Sequence, residues 1–420
     1  MDMEANSSDR TPAPDGMSER TNANYVIRIV TDPTTIDAEQ WDHLQRQQPG
    51  ATLNPFMRRH YLAAMHDSLS AVEETGWKPQ FVTLWAKEQL VAACALYLKT
   101  HSYGEYVFDW AWARAYADNQ MAYYPKAIVA APFTPVPGPR LLATSAQAKQ
   151  SLLEATIAHC QTLGVSSLHV LFADATDIRI CESAGLMRRE TVQFHWLNQK
   201  PELLAGGRFS DFDDFLSSLS QDKRKKIKQE RRKVREAGVT FETFAGPAIT
   251  DAHWALFYQC YERTYLEHGN APYLTPAFFE AMRRDMPENW VLFVAKAPDG
   301  TPFATSLIGL SRDPVTAQPQ VAYGRYWGAL ARVDCLHFEA CYYQPIAWCI
   351  TNGVARFEGG AQGEHKMARA LMPVRTFSAH WLAHPAFSAA VDRYLERERD
   401  GIEDYVDHLG QRSPFKAIAG

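Results

Sequence analysis

Apolar positions along this chain recur with two different periods, and the switching between them marks a mixed α/β protein. Tyr25–Val30 alternates as an opening strand, and 35–47 carries helical spacing behind Thr35 or Asp37 as a cap. Asn54-Pro55 opens a second helix, with Phe56, Tyr61, Leu62 and Met65 at helical spacing. Residues 81–86 and 90–98 predict a strand pair, and the aromatic run 103–112 predicts another strand. Five prolines (Pro125, Pro132, Pro135, Pro137, Pro139) make 123–140 a long ordered loop or extended edge, a costly segment unless it has a task. A helix at 151–163 is stopped by Gly164, a strand follows at 167–172, then a helix at 175–184 and a strand at 191–197.

Beyond Asn198 the pattern restarts. Residues 199–220 read as a linker, 222–236 as a strongly basic helix, and 239–244 as a strand. Helices at 251–268 and Pro276–Asp285 precede a hairpin, 291–296 and 303–310, whose Pro298-Asp299-Gly300 is a turn signal. A Gly-interrupted aromatic strand at 321–327 leads to an amphipathic helix at 336–352, stopped by Gly353, and to a short strand at 355–357. A charged amphipathic helix from Pro385 to about Leu409 ends the pattern. The halves echo each other in order: helix, Gly-Trp or Asn-Trp, hairpin, a strand ending at Asp109-Trp110 or Tyr326-Trp327, then helix, glycine, strand. Each closes on a His-Trp pair, His195-Trp196 and His380-Trp381, which read as core residues. The expected organisation is a disordered tail at 1–24, one domain at 25–198, the linker, and a second domain at 221–420.

Composition agrees with two ordinary cores. At 420 residues the chain exceeds one typical domain, and 46% hydrophobic with 22% charged residues is a globular balance. Seven scattered cysteines read as buried thiols of a reducing, cytoplasmic protein. No apolar run is long enough to span a bilayer, and the polar first residues lack a signal core. The net charge of −5 excludes wholesale binding to nucleic acid or an acidic membrane, but not a local basic patch.

The order of mixed strands in each half resembles the GNAT acyltransferase topology. The segment FEGGAQGEHK, the loop YYPKAIVAAPFTPVPGPRLL and the basic helix SQDKRKKIKQERRKVREAGV resemble the bacterial Fem-like proteins, called peptidoglycan biosynthesis or recognition proteins. That resemblance implies two tandem GNAT-like domains. It also implies transfer of an amino acid from aminoacyl-tRNA to the amine of a cell-wall precursor peptide. It matches the family lysine to Lys366, ahead of Ala370-Leu371, whereas the long helical arm of the best-known members is reduced here to the single basic helix.

The residues carry their own chemistry. Lys223, Arg224, Lys226, Arg231 and Arg232, with their cationic neighbours, leave only Ile227 and Val234 as a thin apolar seam. A helix so cationic either docks phosphates of tRNA, of a nucleotide-linked substrate or of a CoA donor, or is a solvated face with acidic neighbours. No Q/R-x-x-G-x-G/A loop follows the 321–327 strand, which leans against acetyl-CoA; aminoacyl-tRNA or another acyl-CoA remain the expected donors. Glu339 and His337 open a helix and could move a proton, or be a capping carboxylate beside a core histidine. Glu358, Gln362, Glu364, His365 and Lys366 crowd a glycine segment. There Lys366 could hold a developing oxyanion and His365 with Glu364 could transfer protons, unless the group is only a hydrogen-bonded loop. Strand alternation puts Tyr323, Arg325 and Trp327 on one face as substrate contacts or a packing stripe, and Arg375 joins that list. Cys335, His337 and Cys341 lack a fourth ligand for zinc, so no metal and no tightly bound cofactor are expected. The expected activity is N-acyl or aminoacyl transfer to a small-molecule or peptide amine. The alternative is a non-catalytic module binding peptidoglycan fragments or RNA.

Overall fold

A computed structural model describes residues 17–22, 25–50, 52–201, 207–361 and 363–416. The first half runs β1 (Met17–Asn22), β2 (Tyr25–Val30), α1 (Ala38–Arg46), α2 (Arg59–Asp67), β3 (Trp77–Pro79), β4 (Phe81–Ala86), β5 (Gln89–Cys94) and β6 (Leu96–Lys99). It continues with α3 (Trp110–Asp118), β7 (Lys126–Val129), β8 (Leu142–Ala143), α4 (Ala146–Leu163), β9 (Ser167–Ala173), α5 (Ala175–Ser183) and β10 (Met187–Leu197). The second half runs α6 (Phe212–Ser218), α7 (Gln221–Glu236), β11 (Thr240–Ala245), α8 (Asp251–Glu267), α9 (Pro276–Asp285), β12 (Trp290–Lys296), β13 (Pro302–Arg312) and β14 (Pro319–Ala329). Then come α10 (Leu336–Phe338), a π-helical turn Glu339–Tyr343, α11 (Gln344–Thr351), β15 (Arg356–Ala361), β16 (Met372–Leu382) and α12 (Pro385–Gln411).

Local chemistry explains most boundaries. Asp37, not Thr35, caps α1 by accepting from the Gln40 amide at 2.8 Å. Ser145 caps α4, and Gly164 ends it in the left-handed conformation that glycine adopts without a Cβ penalty. Among the described residues no helix is long and apolar enough to cross a membrane.

The halves are interlocked. One eleven-stranded sheet has the order β11-β12-β13-β14-β15-β10-β16-β9-β7-β6-β3, beside a five-stranded sheet β1-β2-β4-β5-β8. Each half gives its last strand to the other. β10 pairs with β15 from Gln193 to Leu197, while β16 lies antiparallel between β10 and β9. Buried His380 on β16 meets buried His169 on β9, Nδ1 to Nδ1, at 2.6 Å across the exchange. A single aromatic core crosses the boundary as well, joining Trp41, Phe56, Tyr61 and Trp77 to Trp254, Phe257, Tyr261 and Trp290.

Four expectations change. Residues 17–22 of the expected tail form β1, paired antiparallel with β2, because the exposed edge of β2 offers a free hydrogen-bonding row. The expected linker is core at its end: Phe209, Phe215, Leu216 and Leu219 are buried against Trp196 and Tyr343. Residues 103–109 are not a strand, since Gly104 and Tyr106 turn to φ 80° and 61° and Glu105 and Asp109 bind the buried Lys126 ammonium. The counterpart of β14 is therefore β7, because each runs parallel to the strand that follows its long helix.

Exchange makes the halves interdependent. Residues 17–201 and 207–416 produced separately are expected to be insoluble or unfolded, because each would expose the sheet edge its partner strand covers. Co-production should restore one soluble complex with a single calorimetric transition. Independent melting of either half alone would contradict this.

Candidate functional site

The site begins where two parallel strands part. β14 and β15 pair only at Val321↔Arg356, Ala322↔Phe357 and Tyr323↔Glu358. β14 stays paired with β13 and β15 with β10, and beyond that point a gap opens between β14 and β15. The β13 register slips there, from Leu307↔Tyr326 to Ile308↔Gly324, leaving Arg325 as the extra residue of a bulge. The bulge breaks the expected alternation. Tyr323 enters the aromatic core, Tyr326 lies between that core and the gap, Trp327 packs near Phe303 and Leu336, and Arg325 lines the gap. Gly324 is required, because a Cβ there would sit 2.8 Å from the Phe357 ring.

Arg325 is held by three hydrogen bonds. Its Nε donates to Thr134 Oγ1 at 2.8 Å, and its Nη1 donates to the Gly324 and Glu358 carbonyls at 3.0 and 3.1 Å. Its Nη2 lies 3.6 Å from the Glu358 carboxylate, which is fully buried and bound more closely by Arg356 Nη2 at 2.9 Å. Burial lowers the Arg325 pKa, with Glu358 opposing the shift.

The gap is a cavity of about 310 Å³ between the halves. Gly324, Arg325, Gly359 and Gly360 form one wall, and Tyr106, Phe108, Phe133, Pro135, Tyr261, Tyr265, Tyr273 and Leu274 form the others. Thr134 and Pro135 come from the five-proline loop, so that segment has the structural task its cost implied. The aromatic walls from α8 and the 103–109 segment were missed in the sequence, since nothing in a linear pattern joins Tyr106 to Tyr261.

The first half has the same parting but not the space. β7 and β9 pair at Ala127↔Leu168, Ile128↔His169 and Val129↔Val170. The proline loop then returns into their gap: Gly138 N–H donates to Phe172 O at 3.0 Å, and Arg140 Nε donates to Leu171 O at 2.9 Å. Asp177 accepts from the Arg140 and Leu141 amides, and Lys149 pairs with it at 2.7 Å.

Behind the cavity wall sits Lys366, on a 3₁₀ turn at Glu364–Arg369. Its ammonium donates to Gly359 O at 2.6 Å and Gly360 O at 3.3 Å. A Cβ on Gly359 would point toward Leu371 and Lys366, whereas one on Gly360 would point toward Arg325. Lys366 and Arg325 therefore flank the Gly359–Gly360 ridge from opposite sides. Burial first, then the Arg325 charge, lowers the Lys366 pKa to about 8.

The other anticipated residues scatter around this ridge. His365 is exposed, and desolvation with Lys366, Arg369 and Lys226 lowers its pKa. Glu364 is exposed and binds Tyr405 and Arg412, each at 3.1 Å. His337 is exposed beside the Trp327, Phe338 and Tyr342 rings. Glu339 is buried and engaged, with Arg231 at 3.2 Å and Gln344 at 2.8 Å, which makes it an anchor for α7. Tyr323 is core, Arg375 on β16 pairs with Glu190 on β10 at 3.1 Å, and Gln362 lies outside the described residues.

Helix α7 presents cations on two sides. Arg224, Lys225, Lys228, Arg231, Arg232 and Arg235 line a groove of about 790 Å³, into which Asp213 also faces. Lys223 and Lys226 line a second groove of about 360 Å³, with Glu364, His365 and Arg412. The inner face is buried through Ile227, Glu230 and Val234. Glu230 there is clasped by Arg369 at 2.9 Å and by the Tyr343 hydroxyl.

This architecture has relatives. FemX superposes with a TM-score of 0.52 at 9% identity, covering 85% of this chain and 98% of that one. The C-terminal domain of a putative lysylphosphatidylglycerol synthetase from Agrobacterium fabrum superposes at 0.50 and 11% identity, covering 85% and 96%. A tandem GNAT protein from the clavulanic acid biosynthesis pathway aligns at 0.43 and 12% identity, over 83% and 95%. No curated protein matches the sequence. The family model FemAB-like, described as peptidoglycan biosynthesis/recognition, matches residues 32–417. The chain thus belongs to the FemAB-like family, with a mixed α/β fold.

Proposed function

We propose that this protein transfers an acyl or aminoacyl group from an activated ester to an amine, with a cell-wall precursor peptide as the acceptor class. The observation that carries the reading is the parting of β14 from β15 over an open cavity, in the one half where the chain does not fill its own gap. Backbone at Gly324 and Gly360 borders that gap, so an extended acyl or peptide segment can approach the main chain there. In the reaction the amine nitrogen attacks the ester carbonyl carbon. The C–N bond forms, the C–O bond to the donor breaks, and the nitrogen's proton passes to the departing oxygen. His365, whose lowered pKa keeps it neutral at pH 7, stands at the edge of the basic groove to relay that proton through water.

Of the two expected donors, aminoacyl-tRNA suits α7 better than acyl-CoA. Its sixteen residues span about 24 Å and carry nine Lys and Arg side chains, eight of them lining the two grooves, more than one pyrophosphate can neutralise. A polyanion crossing the helix would engage both sides.

Two outcomes test this. Incubation with aminoacyl-tRNA and an amine-bearing muropeptide should give the acylated peptide by mass spectrometry. Lys225→Glu with Lys228→Glu should then weaken donor binding about tenfold or more and shallow its salt dependence by roughly one unit of slope per lost phosphate contact. An unchanged slope, with acyl-CoA serving equally well, would replace the tRNA donor.

The second outcome concerns Lys366. Its folded pKa is lowered to about 8, so the ammonium that braces Gly359 and Gly360 is present below pH 8 and lost as pH rises through it. Turnover at saturating acceptor should fall above that pH. Lys366→Arg, charged throughout, should carry the falling limb at least about one pH unit higher. Identical profiles for the two proteins would remove Lys366 from the site.

A further inference from the structure

The cavity between β14 and β15 has a composition that selects its ligand. Its rings come from both halves: Tyr106 and Phe133 from the first, Tyr261, Tyr265 and Tyr273 from the second. Phe133 and Tyr273 stack face to face, 4.9 Å apart and 13° from parallel. Tyr265 meets Tyr273 edge-on at 5.7 Å. A wall of this kind gives a flat apolar group large contact area at low entropic cost.

Two of these rings are held under strain. Tyr106 and Phe133 adopt φ of 61° and 58°, left-handed values that a non-glycine residue rarely takes. Phe133 is further confined, since Gly104 is the neighbour whose missing Cβ makes room for its ring, a Cβ there lying 2.7 Å from it. Two strained aromatic residues facing one cavity indicate that the surrounding fold fixes ring positions which local backbone preference opposes.

Charge supplies the second half of the specificity. Among the described residues, Arg325 is the one ionised residue lining the cavity. The single carboxylate beside it, Glu358, is shared with Arg356, which binds it at closer range. Lys366 adds positive charge across the glycine ridge. An ammonium group entering this space would be repelled by the Arg325 guanidinium, whose only carboxylate is held more closely by Arg356, whereas a carbonyl or carboxylate oxygen would be attracted. The volume, about 310 Å³, lies at the lower end for small-ligand pockets and suits one ring on a short chain, not a nucleotide.

We propose that the cavity takes a single-ring aromatic acyl group, with its carbonyl or carboxylate oxygen toward Arg325. This rests on the transferase reading for its purpose but not for its binding chemistry. Calorimetric titration of the full-length protein with 3-phenylpropanoate, 3-phenylpropylamine and acetate tests it. The phenylpropanoate should bind roughly tenfold or more tightly than the matched amine or acetate. Tyr273→Ala, at a rim position 37% exposed, should weaken that binding about fivefold while leaving the melting temperature unchanged. Absence of phenylpropanoate binding, equal binding of the amine, or binding indifferent to Tyr273→Ala would each overturn the proposal. The transfer assay separates the two claims. Transfer of small aliphatic acyl groups without phenylpropanoate binding would overturn the ligand class and keep the transferase. Selective phenylpropanoate binding with no transfer from any donor would keep the ligand class and overturn the transferase.

Discussion

A fully buried carboxylate, Glu358, holds this site in shape. A charge removed from water must be paired, and breaking a buried pair by removing one partner costs about 3–5 kcal/mol. Glu358 stands at the last residue pair shared by β14 and β15, so both guanidiniums that answer it, Arg325 and Arg356, are drawn to the point of separation. Arg325 reaches it only because the bulge turns its side chain out of the alternation. Once there, its Nε fixes Thr134, and with it the proline loop of the other half. One desolvated charge therefore ties a bulge, a strand end and a distant loop into a single wall.

The two halves show what duplication leaves free. Both have a long helix, a glycine stop and a strand that pairs in parallel for three residues. In the first half the chain after β7 folds back into the gap, and Arg140 satisfies the carbonyls of Val136 and Leu171 that would otherwise be left there. In the second half the chain after β14 leaves toward α10, and the gap stays open. The same loop does both jobs, filling one gap with Gly138 and Arg140 and lining the other with Phe133 and Pro135. The difference between the two gaps thus follows from where a single connection runs.

Much of this was legible in the residues. Helix–glycine–strand modules declared themselves through period and stop signals, and the ionisable crowd at 358–366 lies where β14 and β15 part. What failed to show has physical causes. A period of two identifies a strand but not its neighbours, so the exchange of β10 and β16 left no trace in the pattern. A bulge is one extra residue, invisible in sequence yet enough to send Tyr323 to the core and Arg325 to the cavity. The 103–109 run alternates aromatics like a strand, but burying the Lys126 ammonium required Glu105 and Asp109 beside it, and that need overrode the local preference. Glu339 reads as a free helix-start base until Arg231 arrives from 108 positions away.

Helix α7 raises the same issue of a charge in an unexpected place. Amid nine cations, Glu230 lies on the buried face between Ile227 and Val234. A surface helix made only to attract phosphates gains nothing from an inward carboxylate. Its partner gives the reason. Arg369 binds Glu230 with Nη2, donates from Nη1 to the His365 carbonyl at 2.9 Å, and lies 3.6 Å over the Phe338 ring. The helix is thereby fixed to the turn that carries Lys366, through a pair too buried to slip one register without exposing both charges. The helix at the grooves and the turn behind the glycine ridge consequently behave as one rigid piece. A load on the outer face of the helix would therefore be felt at the Lys366 turn through the Glu230–Arg369 pair.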